Sequence, residues 1–387
     1  MSACSRPTVA VGLSGGVDSS VAALLLHQQG CAVSAVFMKN WEEDDAEGQC
    51  PAAQDYQDAC AVATRLGVPM QAVGFADRYW DDVFQPFLAA YATGRTPNPD
   101  VFCNREIKFS AFLEYALDRG ADYIATGHYA RCYQQDGLWH LRKGRDTNKD
   151  QSYFLYTLGQ TQLAHTLFPI GELSKTAVRQ LAAASGLVTH AKKDSTGICF
   201  IGERPFRDFL ARYLPAKPGP LITPEGTSVG SHDGIMYYTL GQRHGLRLGG
   251  RRGESGTPWY VVAKDALTNT LVVARDHDHP WLYSTTLVAG QLSWVAGVSP
   301  MLPLTCHAKV RYRQEDQACV VTALGDDDTV LVTFTVPQRA IAPGQSVVFY
   351  QGEECLGGGV IECTPTHHAT SVDPPWAHLP SMGGGAV

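Results

Sequence analysis

The residues with the clearest chemistry are those at positions 12–19, which read Gly-Leu-Ser-Gly-Gly-Val-Asp-Ser. They follow the apolar run 9–11 and precede the apolar run 21–26, so we expect a buried strand, a glycine turn and a helix. Glycines let backbone N–H groups approach an anion closely, and a helix that begins near Asp18 directs its positive end to the same place. The pattern predicts a phosphate-binding cradle at the first strand of an α/β sheet.

The cradle contains no lysine. A Walker loop would carry Gly-Lys-Ser/Thr here, with the lysine reaching the terminal phosphates. Residues 14–19 instead resemble the pyrophosphate loop of the N-type ATP pyrophosphatases, the PP-loop superfamily. That resemblance implies that ATP is split between its α and β phosphates, that the α-phosphate passes to a substrate oxygen and that pyrophosphate leaves. A glycine turn without a ligand is the alternative.

Two cysteines lie in charged segments with turn signals. Cys103 lies within residues 96–105, where two prolines and an Asn-Pro step predict a loop. A loop cysteine is more exposed than one in a core, and Arg105 and Lys108 would favour its thiolate. Asp100 could serve as an acid or a base. A buried and packed thiol is the alternative for Cys103.

Cys199 lies within residues 192–203, where two lysines and a glycine predict an electropositive loop. Its apolar neighbours leave a buried thiol as the alternative. The chain has 11 cysteines without regular spacing and no Cys-x-x-Cys, which argues against a disulfide scaffold and a structural zinc site. For the same reason we expect no Fe–S cluster.

The elements that must position these residues alternate along positions 8–126. Strands are predicted at 8–13, 32–38, 70–75 and 123–126, and helices at 18–29, 53–66, 79–93 and 108–119. This alternation predicts a doubly wound α/β domain whose parallel sheet is covered on both faces. Ligands bind at the carboxyl ends of such strands. Residues 12 onward, Met38 and residues 126–128 fall at such ends, so we expect three loops to converge on one crevice.

Proline-rich stretches end this pattern. Pro205 and the run 215–220 predict a boundary, so we assign residues 1–212 to the first domain. Residues 213–289 are glycine-rich with short β-like pieces and form a small central domain. Short strands separated by turns predict a C-terminal β-barrel at 290–363. We expect residues 364–387, rich in Pro, Gly and His, to be a disordered tail.

Composition is that of an ordinary globular protein, with 387 residues, 44% hydrophobic and 18% charged. No apolar run approaches the roughly 20 residues that span a bilayer, and the first predicted strand leaves no room for a targeting peptide. We therefore expect a cytoplasmic protein without membrane association. The formal net charge of −7 is unusual for a nucleic-acid binder, but acidic and basic residues are clustered separately.

Seven motifs together are similar to those of the bacterial tRNA-specific 2-thiouridylases over residues 8–363. They are Gly-Leu-Ser-Gly-Gly-Val-Asp-Ser (12–19), Asn-Pro-Asp-x-x-Cys-Asn (98–104), Ala-Thr-Gly-His-Tyr-Ala (125–130), Lys-Asp-Gln-Ser-Tyr-Phe-Leu (149–155), Ser-Thr-Gly-Ile-Cys-Phe-Ile-Gly (195–202), Gly-Gln-Arg-His-Gly-Leu (241–246) and Val-Arg-Tyr-Arg (310–313). The resemblance implies an ATP-dependent transferase that replaces the C2 oxygen of the wobble uridine of tRNA with sulfur.

The resemblance also implies roles for individual residues. Adenylation makes the C2 oxygen a good leaving group, and Cys199 carries the sulfur as a persulfide. Cys103 is the nucleophile that releases hydrosulfide or otherwise helps to deliver the sulfur, ending in a Cys103–Cys199 disulfide that a reductant must open. Asp100 is the acid/base candidate. A cysteine desulfurase or a sulfur-relay protein supplies the sulfur.

The same resemblance implies the ligand contacts. ATP is expected with Mg²⁺, for which Asp18 is the natural ligand candidate, with a helix N-cap as its alternative role. The implied nucleotide contacts are Gly12, Leu13, Ser14, Gly15, Gly16, Val17, Asp18, Ser19, Met38 and Gly127. The implied contacts with the anticodon stem-loop of tRNA are Asn98, Pro99, Asp100, His128, Lys149, Asp150, Gln151, Arg311, Tyr312 and Gln345.

Two other functions remain open at this point. Another PP-loop ATP pyrophosphatase, such as an amide-forming synthetase, uses the same cradle with ammonia or an amine and needs no pair of loop cysteines. A non-catalytic RNA-binding protein would retain a nucleotide-sensing domain, but the intact glycine loop and both cysteines argue against it. Release of pyrophosphate that depends on tRNA would separate the three functions.

Overall fold

The computed structural model describes residues 6–41, 51–194, 206–248, 257–325 and 328–365. Cys199 and nearly all of the predicted tail at 364–387 lie outside the described residues. Within the described ranges, none of the helices combines the length and the hydropathy needed to cross a membrane.

The first domain is built on a parallel sheet of five strands, in the order β3-β2-β1-β4-β7. With strands numbered along the chain, these are β1 (Thr8–Gly12), β2 (Ala32–Lys39), β3 (Met70–Gly74), β4 (Tyr123–Ala125) and β7 (Thr166–Leu167). The central strand β1 is buried on both faces, because Val9 and Val11 pack into one core and Ala10 into another. The predicted parallel sheet is therefore confirmed.

Helices cover both faces of this sheet. Residues of α1 (Val17–Gln28), α2 (Pro51–Leu66) and α8 (Lys175–Ala184) share the core of Val9 and Val11. Residues of α6 (Phe112–Leu117) share the core of Ala10 on the other face. The remaining helices are α3 (Ala76–Tyr79), α4 (Gln85–Ala92), α5 (Pro99–Phe102), α7 (Gln160–Ala164) and α9 (Phe206–Ala211), with π-helical turns at Trp80–Phe84 and Cys103–Ala111. The doubly wound architecture is confirmed.

The predicted loop is confirmed for residues 96–98, which form neither helix nor strand, but it was wrong from Pro99 onward, where the chain is helical. Asn98 caps α5, and its Oδ1 accepts a hydrogen bond of 3.1 Å from the Asp100 backbone N–H. Pro99 occupies the first turn, where its missing N–H costs no helical hydrogen bond. Helix α5 then continues through the π-helical turns Cys103–Ala111 into α6. The same residues that signal a turn also signal the start of a helix.

The central domain and the barrel follow. The central sheet has the order β10-β11-β8-β9, with β8 (Gly219–Ile222), β9 (Ser228–His232), β10 (Tyr260–Asp265) and β11 (Thr270–Ala274). Six further strands close into a barrel through pairing of its first and last strands, which confirms the predicted barrel. They are β12 (Tyr283–Trp294), β13 (Leu304–Lys309), β14 (Gln317–Ala323), β15 (Val330–Arg339), β16 (Ser346–Gln351) and β17 (Glu354–Cys363). The predicted division between residues 289 and 290 falls inside β12.

A hairpin of the first domain joins this barrel. Strands β5 (Ala130–Gln135) and β6 (Leu138–Lys143) pair with each other, and Leu141 of β6 pairs with Cys355 of β17. The first domain and the barrel therefore share a sheet. They also share a hydrophobic core, whose members include Tyr153, Tyr156, Val348 and Tyr350.

The packing of this shared core can be tested by a substitution at Gly358 of β17. A Cβ at this position would lie 2.4 Å from the Val347 carbonyl oxygen and 2.8 Å from Tyr156 Cδ2. We expect Gly358→Ala to lower the free energy of unfolding in urea by about 1–3 kcal/mol, the usual cost of overpacking. The control is Gly74→Ala, where a Cβ meets no atom within 4 Å. Equal stability of the two variants would contradict the packing described here.

Candidate active site

The glycine loop is shaped by its own backbone and hydroxyl groups. Gly15 has φ +73°, and a Cβ there would lie 2.1 Å from the Asp55 carbonyl oxygen of α2. The Gly16 carbonyl accepts hydrogen bonds from Ser19 Oγ at 3.1 Å and Ser20 Oγ at 2.7 Å. Gly16 is also the N-cap of α1, so Asp18 is not the cap residue. The loop therefore presents the N-terminus of α1 without a side chain across it.

Two residues from neighbouring strands close on this loop. A Cβ on Gly12 would lie 3.1 Å from Met38 Cε, at the end of β2. Gly127 follows β4, and a Cβ there would lie 2.5 Å from the Ser19 backbone nitrogen. The structure thus brings the loop, Met38 and Gly127 together at the carboxyl ends of β1, β2 and β4. This convergence is the one that the order of strands and helices predicted.

Asp18 is held by two groups that the sequence analysis missed. Tyr129 Oη donates to Asp18 Oδ1 at 2.8 Å. Lys175 Nζ donates to Oδ1 at 2.8 Å and to Oδ2 at 2.7 Å. Lys175 lies 157 positions from Asp18, and its sequence signal is no more than a helix start after Ser174. Within the described ranges, no group of three or more His, Cys, Asp or Glu side chains is arranged to hold a metal ion.

A second carboxylate continues this network. Asp194 contacts Lys175 at 2.7 Å, Lys149 at 2.7 Å and Arg179 at 2.8 Å. Although burial acts in the opposite direction, hydrogen bonds from Lys149 and Lys175 lower the pKa of Asp194 to about 2. Asp194 is therefore ionised at neutral pH and keeps three cations next to the glycine loop.

Lys192, which contributed to the predicted electropositive loop, is neutralised by α2. Its Nζ lies 2.7 Å from Asp55 Oδ1 and also contacts Asp58. The residues that follow, including Cys199, lie outside the described part of the chain. The proximity of Cys199 to Cys103 therefore stays a prediction.

Cys103 is buried, which confirms the packed thiol that was the alternative to an exposed loop cysteine. Its exposed fraction is 1%, and it packs in a core with Phe84, Phe87 and Phe209. This core joins residues of α4 and α9 and of the π-helical turn Trp80–Phe84. A reaction at this sulfur requires that the aromatic side chains over it move.

Asp100 and His128 share one neighbouring cation. Burial raises the pKa of the half-buried Asp100 carboxyl, whereas the Lys108 ammonium lowers it. Burial and the same ammonium hold the pKa of His128 well below its usual value, so this imidazole is neutral at physiological pH. Lys108 Nζ also donates to Asn104 Oδ1 at 3.0 Å. The His128 ring also lies 5.7 Å from the Phe109 ring, centroid to centroid, so the loop after β4 packs on the π-helical turns that continue from the α5 segment carrying Asp100.

Two of the residues predicted to contact tRNA, Asp150 and Gln151, make hydrogen bonds within the protein. Asp150, which is 5% exposed, accepts hydrogen bonds of 3.0 Å from Gly144 N, Ser152 N and Ser152 Oγ. Gln151 Oε1 accepts a 2.9 Å hydrogen bond from the Tyr129 backbone N–H. These bonds shape the loop that presents Lys149. Asp150 therefore has its carboxylate oxygens engaged by groups of its own loop.

The barrel residues among the predicted tRNA contacts differ in their exposure. Gln345 Nε2 donates to the Thr96 carbonyl at 2.8 Å and so supports the segment before Asn98. The ring of Tyr312 lies 4.5 Å from that of Phe154, centroid to centroid, and is half-buried. Arg311 is exposed, and of these three residues it is the one that carries a charge.

Comparison with known proteins matches family models along most of the chain. The model described as "tRNA methyl transferase HUP domain" matches residues 7–203. Models described as "tRNA methyl transferase PRC-barrel domain" and "Aminomethyltransferase beta-barrel domain" match residues 207–275 and 284–361. The glycine loop, Asp100, Cys103 and His128 all fall within the first of these.

Close relatives are proteins named tRNA-specific 2-thiouridylase MnmA. That of Methylococcus capsulatus is 61% identical over 361 residues, 93% of this chain and 97% of the relative. That of Nitrosococcus oceani is 59% identical over 359 residues, covering 93% and 98%. That of Yersinia pestis is 60% identical over 363 residues, covering 94% and 98%.

The shared action of Lys108 can be tested by titration. We expect Lys108→Met to raise the pKa of both Asp100 and His128, because the ammonium lowers both. NMR of the Asp100 carboxyl carbon and the His128 ring nitrogens measures the two values. The control is Arg105→Met, since Arg105 pairs with Glu106 at 2.5 Å. If the pKa of Asp100 or of His128 is unchanged in Lys108→Met, the Lys108 ammonium does not act on that residue, and the two residues do not share a cation.

Proposed function

The chain belongs to the tRNA-specific 2-thiouridylase family, and from this premise we propose that it replaces the C2 oxygen of the wobble uridine with sulfur. It is an ATP-dependent tRNA-uridine sulfurtransferase. One observation carries the chemistry. Gly127 touches the glycine loop, and the ring of the next residue, His128, lies 5.7 Å from that of Phe109, on the helical turns that continue from the segment carrying Asp100. A nucleotide on the loop and a base at Asp100 would therefore be neighbours.

The first half of the reaction is adenylation. The uridine O2 attacks the α-phosphorus of ATP, pyrophosphate leaves, and the N3 proton of the base passes to the Asp100 carboxylate. A carboxyl whose pKa is raised by burial is suited to such an exchange. The loop N–H groups and the N-terminus of α1 support the phosphates. Mg²⁺ would neutralise them further, and Asp18 is the carboxylate at the loop that fits this ion.

The second half is sulfur delivery. Cys199 carries a persulfide, and the Cys103 thiolate attacks the Cys199 sulfur, so the S–S bond of the persulfide breaks and hydrosulfide leaves. Hydrosulfide adds at C2, AMP departs with the former oxygen, and 2-thiouridine remains. Cys103 and Cys199 end as a disulfide, which requires their Cα atoms to come within about 7 Å. An external thiol reductant then restores both cysteines.

The partners follow from this chemistry. The anticodon stem-loop must present an extruded base, since enzymes that act on a base remove it from its stack. Arg311 is the charge proposed to meet its phosphates, and Asn98 and Pro99 are proposed to contact its base. Lys149, a further proposed tRNA contact, stays paired with Asp194 at 2.7 Å. A cysteine desulfurase or a sulfur-relay protein loads Cys199, and no Fe–S cluster takes part in the scheme. We place the enzyme in the cytoplasm, where its tRNA substrate is found.

The two cysteines should have separable effects. We expect Cys199→Ala and Cys103→Ala to abolish thiouridine formation while tRNA-dependent release of pyrophosphate persists, because adenylation needs neither thiol. Nucleoside mass spectrometry and a pyrophosphate assay measure the two steps. The control is Cys363→Ala, at an exposed position, which should keep both. Normal thiolation by Cys199→Ala contradicts the persulfide role, and turnover without tRNA indicates an amide-forming synthetase instead.

The affinity for tRNA should depend on the salt concentration, because the exposed Arg311 guanidinium is proposed to contact phosphate. We expect the logarithm of the tRNA affinity to fall linearly with the logarithm of the salt concentration, and Arg311→Gln to reduce that slope by about 0.7–0.9. Gln345→Ala should weaken binding without changing the slope, because it removes a support of Thr96 and no charge. Filter binding at several salt concentrations measures both. An unchanged slope for Arg311→Gln would remove this residue from the phosphate contacts.

A further inference from the structure

A lysine from outside the glycine loop contacts the carboxylate in the first turn of α1. Lys175 is the first residue of α8, and its three donors meet Asp18 Oδ1, Asp18 Oδ2 and Asp194 Oδ1 at 2.7–2.8 Å. The side chain is 12% exposed, so the ammonium is enclosed by the site and lies at one defined place. The loop itself, at 12–19, supplies amides and hydroxyls but no cation.

The carboxylate that holds Lys175 lies where the phosphates are proposed to bind. Asp18 is in the first turn of α1, and Gly127 packs against the bond between Asp18 and Ser19. A triphosphate bound at this turn would bring several negative charges next to the Asp18 carboxylate. Like charges this close repel strongly in a partly buried site unless a cation lies between them.

We infer that Lys175 is the phosphate-binding lysine of this site and moves from Asp18 to the pyrophosphate part of ATP when the nucleotide binds. This inference rests on the proposed function. In this movement the Lys175 ammonium exchanges the Asp18 carboxylate for the phosphates of ATP. It therefore keeps an anionic partner in both positions. Asp18 keeps the hydroxyl of Tyr129 and becomes free for the cation that accompanies ATP. As pyrophosphate leaves, Lys175 neutralises the charge that develops on it.

The surroundings of Asp194 support such a movement. Lys149 and Arg179 contact Asp194 at 2.7 and 2.8 Å, so this carboxylate keeps two cations when Lys175 turns away. Removing one partner of a buried pair is costly mainly when the other charge is left alone. Here Lys149 and Arg179 remain as cationic partners of Asp194 after Lys175 has moved.

The test compares nucleotides that differ in their phosphates. Isothermal titration of the full chain with α,β-methylene-ATP and Mg²⁺, and separately with AMP, measures both affinities. We expect Lys175→Gln to weaken binding of the triphosphate analogue about 10- to 100-fold, the range for a hydrogen bond between charged groups, and that of AMP less than about twofold. Lys175→Arg should recover part of the loss. The control is Lys192→Gln, which removes an ammonium from the carboxylates of Asp55 and Asp58 on α2, leaves Asp18 and Asp194 untouched, and should bind both nucleotides as the wild type does.

Lys175→Gln is also measured in an Asp18→Asn background. If Lys175 binds phosphate, its loss still weakens the analogue selectively there. Recovery of affinity in the double variant, or equal losses for AMP and the analogue, overturns the inference and leaves Lys175 as a neutralising partner of Asp18. Unchanged binding by Lys175→Gln overturns it as well. If the wild-type chain fails to bind the analogue, the proposed ATP-dependent function fails instead.

Discussion

The contact between Gly127 and the first turn of α1 is the constraint on which the rest of the site depends. With no side chain at Gly127, the carboxyl end of β4 touches α1 directly, whereas a Cβ would lie 2.5 Å from the Ser19 nitrogen. Tyr129 can then bond Asp18 on one side, while His128 lies near Lys108 on the other. Transfer of AMP requires the α-phosphorus and the acceptor oxygen to meet. Here a backbone contact, rather than a flexible side chain, sets the distance between the loop after β4 and the first turn of α1.

Many of the polar side chains around the site make hydrogen bonds that fix the conformation of loops. Asp150 is enclosed by donors from its own loop, and Ser152 Oγ lies 3.2 Å from the buried hydroxyl of Tyr350 in the barrel. The Lys143 ammonium lies 4.4 Å from the centroid of the Tyr350 ring. A buried network in which the polar groups are satisfied specifies one arrangement of the parts it joins. The loop carrying Lys149 is thus positioned by the barrel as well as by the first domain.

The sequence predicts the sheet and the cradle well because both depend on local patterns. Buried parallel strands read as apolar runs, and the glycine loop follows the first of them, so Met38 and Gly127 could be placed at the same edge. It predicts the helix before Cys103 poorly, since Asn98-Pro99 is compatible with both a turn and a capped helix start. The burial of Cys103 depends on Phe209, far along the chain. The Lys175–Asp18 pair joins two distant helices, and no local pattern encodes such a pairing.

The strand pairing between the hairpin and the barrel has a consequence for synthesis on the ribosome. Lys143 meets the Gly352 carbonyl at a separation of 209 residues, and β6 has no barrel partner until β17 has been made. The nascent first domain can form its parallel sheet early, but Tyr153 and Tyr156 must wait for the final strands to cover them. Long-range contacts of this kind slow folding and expose apolar surface in the meantime. Chains interrupted before β17 should therefore be targets for chaperones and proteases even though every residue of the nucleotide cradle is already present.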